Sequence, residues 1–405
     1  MCGLAPRPSQ ISGAVREPGL VLKCRKMEDR VRRIRSEIVE LARAGHDWVT
    51  FSTHVTELLR RLIRFDRSCW HSVDPGTVLL TGSLNQGIGC SGSWLAHHEF
   101  VVDDVNKWWF LARSGRQAGA TSIATHGDLS RSARHVSHES FGIGDELRAA
   151  LVTDGTYWGA VGILRDKGEP WFTESDVRTV ASLSAVIAEG FRRALIVGAL
   201  GSEADLGPGP GVVIFDEDCL PESISPAAEF WIDQLIEEPP PSSPADSRAV
   251  QGVAARAHAA RDGQDPLELT ARCRARTRTG SWLLLYGTRL SGKARGRTAV
   301  IIQPAPANEV APLVALAYGL SDRERQLARL CIEGRSTKEM AQAMAVSAYT
   351  IQDHMKSIFE KTGARSRGEL VGQVFLEHYV TRWDEVTHCP PGWLARSSTP
   401  VDGRD

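Results

Sequence analysis

Five polar side chains in the last fifth of the chain fall at the spacing of one helix face. They are Tyr349, Gln352, Asp353, Lys356 and Glu360, and the last four stand three, four, seven and eleven positions after the first. Side chains of these types donate and accept hydrogen bonds, and the DNA major groove admits one helix and presents hydrogen-bonding base edges to it. The stripe therefore predicts recognition of bases, with Gln352 and Lys356 as the main contacts.

Basic side chains lie near the ends of the same predicted helices and in the loop that follows them. From such positions, Lys and Arg contact phosphates and fix the register of a protein on DNA without distinguishing bases. His354 is a further candidate for a phosphate contact. The predicted DNA-binding residues are Lys338, Ser347, Tyr349, Thr350, Gln352, Asp353, His354, Lys356, Lys361, Arg365 and Arg367.

Capping residues mark the boundaries of the helices that must position this stripe. An S-x-x-E pattern, in which serine and glutamate cap a helix start reciprocally, occurs twice, and a third serine offers another start. Two glycines can end helices in a left-handed conformation. The pairs are Ser321 with Glu324 and Ser336 with Glu339, the third serine is Ser347, and the glycines are Gly334 and Gly363. Apolar residues at helical spacing from Met340 to Ile358 predict that the second and third helices pack across a tight turn.

This segment resembles the C-terminal DNA-binding domain of the LuxR family of bacterial transcription regulators. The matching motifs are Leu320-Ser321 with Arg323-Glu324, Gly334 to Ala341, Val346-Ser347 with Thr350-Ile351 and His354, Ile358 with Lys361 and Gly363, and Arg367 to Val371. Gln352 stands where the family usually carries lysine, Asp353 adds a negative charge to the stripe, and Thr362 replaces a usual leucine. The resemblance implies an all-α domain of four helices at residues 316–380 that binds double-stranded promoter DNA.

The charge of this segment bears on how it would bind. Residues 320–375 contain nine Lys and Arg against seven Asp and Glu, so the domain is barely basic. Because few phosphate contacts are available to each copy, useful affinity requires two copies on adjacent half-sites. The sequence therefore predicts a homodimer on DNA.

Length, net charge and cysteine usage bound the rest of the protein. The 405 residues suffice for about three domains, and the net charge of −1 argues against a protein that coats nucleic acid. The eight cysteines are dispersed without a C-x-x-C pair, so neither a disulfide framework nor a metal cluster is predicted. No apolar run has the length of a membrane span, and the amino terminus lacks a signal-peptide core. We expect a cytoplasmic protein without a membrane segment.

Residues 27–197 resemble a GAF sensor domain. Amphipathic helical segments are followed by short β-like segments, a hairpin at Thr153-Asp154-Gly155 and a long helix. The resemblance is clearest in WGAVGILRDKGEPWFTESDVRTVASLSAVIAEGF. It implies an α+β fold with a pocket for an unidentified small-molecule effector. The residue patterns themselves predict no resident cofactor and no metal. The candidate walls are Trp94, Trp108, Trp109 and Phe141, and the alternative is that these aromatic side chains belong to the core.

Residues 211–305, after a Gly-, Pro- and acid-rich linker at 198–210, resemble a PAS domain with an α+β fold. Their order is strand, turn, short strand, helix, a second helix and three strands. Four arginines alternate along one of these strands and its turn, so they share a face: Arg272, Arg274, Arg276 and Arg278. The first interpretation is an exposed cationic strand. The second is a site for an anionic ligand or a contact with the DNA-binding unit.

The fold class is therefore multidomain, with a GAF-like α+β domain, a PAS-like α+β module and a C-terminal all-α helix-turn-helix domain. Residues 1–26 and 381–405 lack periodicity and are predicted to be a flexible extension and a flexible tail.

The predicted function is sequence-specific, DNA-binding transcription regulation under the control of the sensor modules. The alternative is an interaction protein whose helical unit contacts RNA polymerase or another regulator, which Asp353 and the missing lysine at position 352 favour. No enzyme is predicted, because the sequence lacks a lysine-bearing phosphate loop, a G-x-S-x-G elbow and an H-E-x-x-H pair.

Overall fold

A computed structural model describes residues 18–89, 91–197, 207–243, 246–259, 270–372, 386–388 and 394–396. The helices are α1 (Pro18–Arg43), α2 (Trp48–Arg60), α3 (Gly92–Ala96), α4 (Trp108–Ser114), α5 (Thr121–Ala124), α6 (Ala133–His138), α7 (Glu174–Val197), α8 (Pro226–Gln234), α9 (Arg248–Ala259), α10 (Ala307–Ala317), α11 (Asp322–Ile332), α12 (Thr337–Met344), α13 (Ala348–Thr362) and α14 (Arg367–Val371).

The strands are β1 (Arg67–Asp74), β2 (Leu79–Gln86), β3 (Ala118–Ala120), β4 (Ile143–Thr153), β5 (Thr156–Asp166), β6 (Gly211–Phe215), β7 (Pro221–Ile224), β8 (Glu237–Glu238), β9 (Arg272–Arg276), β10 (Trp282–Arg289), β11 (Thr298–Pro304), β12 (Val386–His388) and β13 (Leu394–Arg396). A π-helical turn at His97–Val101 continues α3. The described part of the chain thus contains two mixed helix-and-sheet units followed by a helical unit.

The first unit is built on a sheet of order β3-β4-β5-β1-β2-β8. The predicted hairpin is confirmed: β4 and β5 pair antiparallel, and Asp154 and Gly155 in the turn have φ angles of 50° and 71°. Helices α1, α2 and α7 cover one face of the sheet, where Trp70, Leu183 and Phe191 are buried. Helices α3 and α4 cover the other face, so the sheet is enclosed on both sides.

The second unit has a sheet of order β7-β6-β11-β10-β9. Read from β2 to β3, strands β1–β5 of the first sheet lie in the order 2-1-5-4-3. The five strands of the second sheet, renumbered 1 to 5 in chain order, lie in the same order. Helices α8 and α9 bury Trp231 and Val253 against this sheet. The two α/β units therefore repeat one strand arrangement.

The two units share their cores. Strand β8 leaves the second unit and pairs parallel with β2 of the first, matching Ser83 with Glu237. Leu79 of the first sheet belongs to the second core, and Trp282 of the second sheet belongs to the first core. Helix α9 contacts both β10 and β2. The domain boundary predicted at residue 211 therefore separates two segments of the chain whose apolar side chains pack in shared cores.

The interpretation of the arginine stripe as an exposed cationic strand holds at the exposed Arg272 and Arg278 but is wrong for the two arginines between them. Arg274 donates to both carboxylate oxygens of the buried Asp74, at 2.7 and 2.8 Å. Arg276 donates to the carbonyl oxygens of Leu195 and Gly280 at 3.3 and 3.1 Å. Strand β9 faces the first unit, and the alternating guanidinium groups at 274 and 276 lie at the junction between the units.

Helix α10 joins the two α/β units to the helical unit and begins in the interval left between residues 305 and 316 in the predicted domains. Val310, Leu313 and Val314 pack in the core of the first unit. Ala311 and Ala315, on another face of the same helix, pack in the core of the helical unit. The connector is therefore buried on two sides.

The predicted ends differ in detail from the structure. Helix α1 begins at Pro18, so residues 18–26 of the extension predicted at 1–26 are helical. In the predicted tail, β12 and β13 pair antiparallel. Residues 198–206 of the linker, and the part of the fourth predicted helix after residue 372, lie outside the described residues.

Among the described residues, the structure contains no helix with both the length and the apolar character needed to cross a membrane.

Candidate nucleic-acid interface

Reciprocal caps fix the starts of the first two helices of the C-terminal unit, as predicted. The Glu324 carboxylate accepts from the Ser321 backbone N–H at 2.6 Å, and the Ser321 hydroxyl accepts from the Glu324 N–H at 3.4 Å. Ser336 and Glu339 repeat this arrangement at 2.7 and 3.3 Å. These bonds satisfy N–H groups that the first turn of a helix otherwise leaves unpaired.

Helix α13 begins at the predicted serine and ends at the predicted glycine. The Ser347 hydroxyl accepts from the Thr350 backbone N–H at 3.0 Å and lies 2.9 Å from the Thr350 hydroxyl. Gly363 adopts a left-handed φ of 77° and closes the helix. Between α12 and α13, Ala345 takes a φ of 54°, which turns the chain sharply enough for the two helices to pack.

The predicted polar stripe of α13 faces away from the core. Ile351 and Ile358 on the opposite side of the helix are buried. Tyr349 is 72% exposed, and the other four members, Gln352, Asp353, Lys356 and Glu360, are also exposed. Since α13 presents a complete polar face without displacing any core residue, the helix is able to enter a groove with its fold unchanged.

The Lys361 side chain is paired within the unit. Its ammonium group donates to Glu324 at 2.6 Å, and the Ser357 hydroxyl donates to the same carboxylate at 2.7 Å. Burial alone would raise the pKa of Glu324, but the hydrogen bonds from Lys361, Ser357 and Ser321 outweigh it and lower that pKa to about 2. Lys361 therefore serves the internal packing of α11 against α13.

Arg367 is likewise engaged within the unit. Its guanidinium group donates to the carbonyl oxygens of Cys331, at 3.3 Å, and Arg335. It thereby ties α14 to the end of α11. This long-range contact links residues 36 positions apart, so no local sequence signal could have revealed it.

The remaining predicted residues divide by exposure. Lys338 and Arg365 are exposed, His354 is half-buried, and the Arg365 backbone N–H donates to Glu369 at 2.8 Å. Within the described residues, the side chains of Lys338 and Lys356 make no hydrogen bond or ion pair. Exposed basic groups thus remain at the start of α12, along α13 and in the loop before α14.

Residues 319–373 match the family model described as bacterial regulatory proteins, luxR family. This segment is a LuxR-family domain. A protein from Aeromonas salmonicida described as a putative HTH-type transcriptional regulator in the exeN 3' region is 37% identical over 62 residues. That match covers 15% of this chain and 31% of the relative, so the chain spans about a third of the relative's length.

Among solved structures, the chain is similar to the wild-type photosensory core module of the Stigmatella aurantiaca phytochrome. The two are 14% identical, the match covers 52% of this chain and 49% of that one, and the TM-score is 0.27. At that TM-score, the likeness carries no argument about the N-terminal units.

The four aromatic side chains predicted as pocket walls do not form one wall. Trp108 is fully buried, donates its indole N–H to the Val161 carbonyl at 3.1 Å and lies beneath the Arg148 guanidinium. Trp94 stacks on His138 at 4.2 Å between ring centroids. The rings of His138 and Phe141 lie 6.2 Å apart. Trp109 lines a separate open cleft of about 530 Å³.

A buried charge network beside Trp108 has no counterpart in the sequence predictions. Arg148 donates to Glu146 and Glu99 at 2.8 and 2.9 Å, and Arg134 donates to Glu146 at 2.7 Å. Burial alone would raise the pKa of Glu146, but the charges of Arg134 and Arg148 hold it well below its usual range. Paired charges therefore fill much of the layer between the first sheet and α4.

Polar side chains without partners lie in the same layer. Ser83 and Asn85 stand opposite His71 and Cys69 across the β1–β2 pair. The side-chain polar atoms of Ser83, Asn85 and His71, and the Tyr157 hydroxyl, are buried without a hydrogen-bond partner in the described structure. Buried groups of this kind call for a ligand, a water or a functional role.

Proposed function

We propose that the protein is a transcription regulator that binds double-stranded promoter DNA through α13. The observation that carries the proposal is the exposed polar face of α13, on a capped helix-turn-helix that matches the LuxR family model over residues 319–373. In this assignment Gln352 and Lys356 contact base edges. Lys338 and Arg365 contact phosphates, and Ser347, Thr350 and His354 lie at the edge of the same surface.

The internal engagement of Lys361 and Arg367 supports binding as a homodimer. With these two cations used inside the unit, fewer groups remain to neutralise phosphates than the sequence count implies. Log affinity falls linearly with log salt concentration, and each phosphate that goes without a cation makes that slope less steep by about 0.9. Two copies on adjacent half-sites double the number of phosphates that the bound protein neutralises.

The sensor role of the N-terminal units is part of the same proposal. The unpartnered polar groups beside the first sheet support an unidentified small-molecule effector bound in that layer. Helix α10, buried against both the first unit and the LuxR-type domain, supplies a route by which the effector biases the placement of that domain. The effector must favour one of two arrangements to act in this way.

The proposal is tested by crosslinking tagged protein to DNA across the genome, comparing wild type with Lys356→Ala. We expect discrete peaks that share an inverted repeat and that the substitution removes. Lys293→Ala is the matched control, because it removes the same charge from an exposed position in the second unit. Peaks unchanged by Lys356→Ala would refute base recognition by α13.

A second candidate function is favoured by the exposed carboxylate of Asp353 in the middle of the stripe. In that case the C-terminal unit contacts RNA polymerase or another regulator. Co-purification of RNA polymerase with wild type and Lys356→Ala alike, without sequence-specific crosslinks to DNA, would favour this candidate.

A further inference from the structure

A small cavity lies where the two sheets and α10 meet, and we call it the junction cavity. Its volume is about 40 Å³, and Trp158 of β5, Trp282 of β10 and Leu313 of α10 contribute to its wall. By the same kind of measure, one water needs roughly 10–15 Å³. The cavity therefore has room for an occupant larger than a single water.

Two indole rings supply unpaired hydrogen-bond donors in this wall. Trp158 and Trp282 are 3% and 7% exposed. The N–H group of each indole is buried and has no hydrogen-bond partner in the described structure. A buried donor without an acceptor destabilises the folded protein, so two such donors on residues that line one cavity point to an acceptor within it.

The polar part of the wall is otherwise composed of cations and of groups already engaged. Arg274 and Arg276 line the cavity, and the described lining residues include no aspartate or glutamate. The Ser72 and Thr81 hydroxyls bond each other at 2.9 Å. A water that accepted hydrogen bonds from both indole N–H groups would still have two O–H groups in need of acceptors. A monatomic anion accepts hydrogen bonds and donates none.

We propose that the junction cavity binds one small inorganic anion of the halide class. The indole N–H groups of Trp158 and Trp282 donate to the anion, and the Arg276 guanidinium group supplies positive potential, whereas the charge of Arg274 is paired with Asp74. Burial lowers the pKa of Arg276 to about 10, and a bound anion opposes that effect. Arg276 of β9 thus belongs to an anion site.

The position of the site gives the anion a structural consequence. Trp158 belongs to the first sheet, Trp282 to the second and Leu313 to the helix that leads to the LuxR-type domain. An ion held by both indoles stabilises the contact between the two units directly beside α10. Gly82 permits the close approach on one side, since a Cβ there would lie 2.8 Å from the Ile236 carbonyl oxygen and from the Ser72 hydroxyl.

The site is tested by thermal unfolding of the full-length protein, followed by circular dichroism at constant ionic strength. Chloride replaces gluconate, which is too large for the cavity, in increasing proportion. We expect a saturating rise in Tm of about 3 °C for the wild type. The double variant Trp158→Phe/Trp282→Phe should show no chloride-dependent rise. Trp171→Phe, at a tryptophan that is 47% exposed, is the matched control and should retain it.

A second measurement keeps the test informative where the double variant fails to fold. Crystals of the wild-type protein grown in bromide should show an anomalous-scattering peak between the two indoles. Absence of that peak, or a chloride effect of equal size in wild type and double variant, would overturn the proposal and assign the cavity to water. Because neither measurement involves DNA, failure here leaves the proposal of DNA binding untouched.

Discussion

Glu324→Gln should loosen the LuxR-type domain by removing one buried charge while keeping the shape of the side chain. The Glu324 side chain is 4% exposed and accepts hydrogen bonds from the Ser321 backbone, Ser357 and Lys361. A glutamine retains one oxygen acceptor, but it loses the ionic attraction to Lys361 and cannot accept all three bonds. The packing of α11 on α13 depends on these contacts.

The magnitude follows from the pKa of Glu324. A pKa lowered from 4.5 to about 2 corresponds at most to about 3 kcal/mol of stabilisation. Lys361 is 38% exposed, and solvent screening reduces the figure to about 2 kcal/mol. Because the pKa is lowered in the folded state, this stabilisation is complete above pH 4.5 and is lost as the pH falls towards 2. The difference between wild type and variant should shrink over the same range.

The assay is hydrogen exchange of the α13 amides in the full-length protein at neutral pH. A loss of about 2 kcal/mol accelerates exchange through local opening by about 30-fold. Glu339→Gln is the control, since Glu339 caps α12 in the same way but its side chain is 53% exposed. Equal acceleration in the two variants would show that capping, and not the buried charge, accounts for the effect.

Three further outcomes are expected. Arg148→Met should destabilise the first unit by about 3–5 kcal/mol in urea unfolding, because it leaves Glu99 and Glu146 buried without their shared partner; a loss below about 1 kcal/mol would contradict the network. Burial, with the charges of Arg248 and Arg148, lowers the pKa of His71 to about 3. The unfolded state then binds the extra proton, so Tm should fall as the pH falls below 6.5, and His71→Phe should flatten this dependence. On a bound promoter fragment, Lys356→Ala should leave the salt slope of affinity unchanged, because Lys356 is assigned to base edges, whereas Lys338→Ala, at a group assigned to a phosphate, should make that slope less steep by about 1.

Local interactions made the C-terminal unit predictable. Ser321 and Ser336 each have a glutamate three positions on, and together with Ser347 they mark helix starts that the structure confirms. The exposed face of α13 followed from helical spacing alone. Whether those side chains contact DNA stays a prediction, because geometry establishes exposure and not binding.

Long-range pairing was beyond such arguments. Lys361 meets Glu324 across 37 positions, and Arg274 meets Asp74 across 200. A basic residue near a helix end, or on an alternating strand, gives no local sign of the distant carboxylate with which it pairs. The prediction of an exposed arginine strand failed at Arg274 for this reason, and the aromatic residues near Trp94 could not be assigned to core or pocket.

The double burial of α10 limits how this polypeptide can be cut or recombined. A fragment that starts after Ala317 would remove Ala311 and Ala315 from the apolar interior beneath α11, and a fragment that includes α10 would expose Val310, Leu313 and Val314. Cleavage at any point near α10 exposes apolar side chains on at least one of the two fragments. Expression of the C-terminal segment together with α10 as an isolated domain should therefore require polar replacements at Val310, Leu313 and Val314. Exchange of this segment with that of another protein should succeed only when α10 is transplanted with a matching first unit.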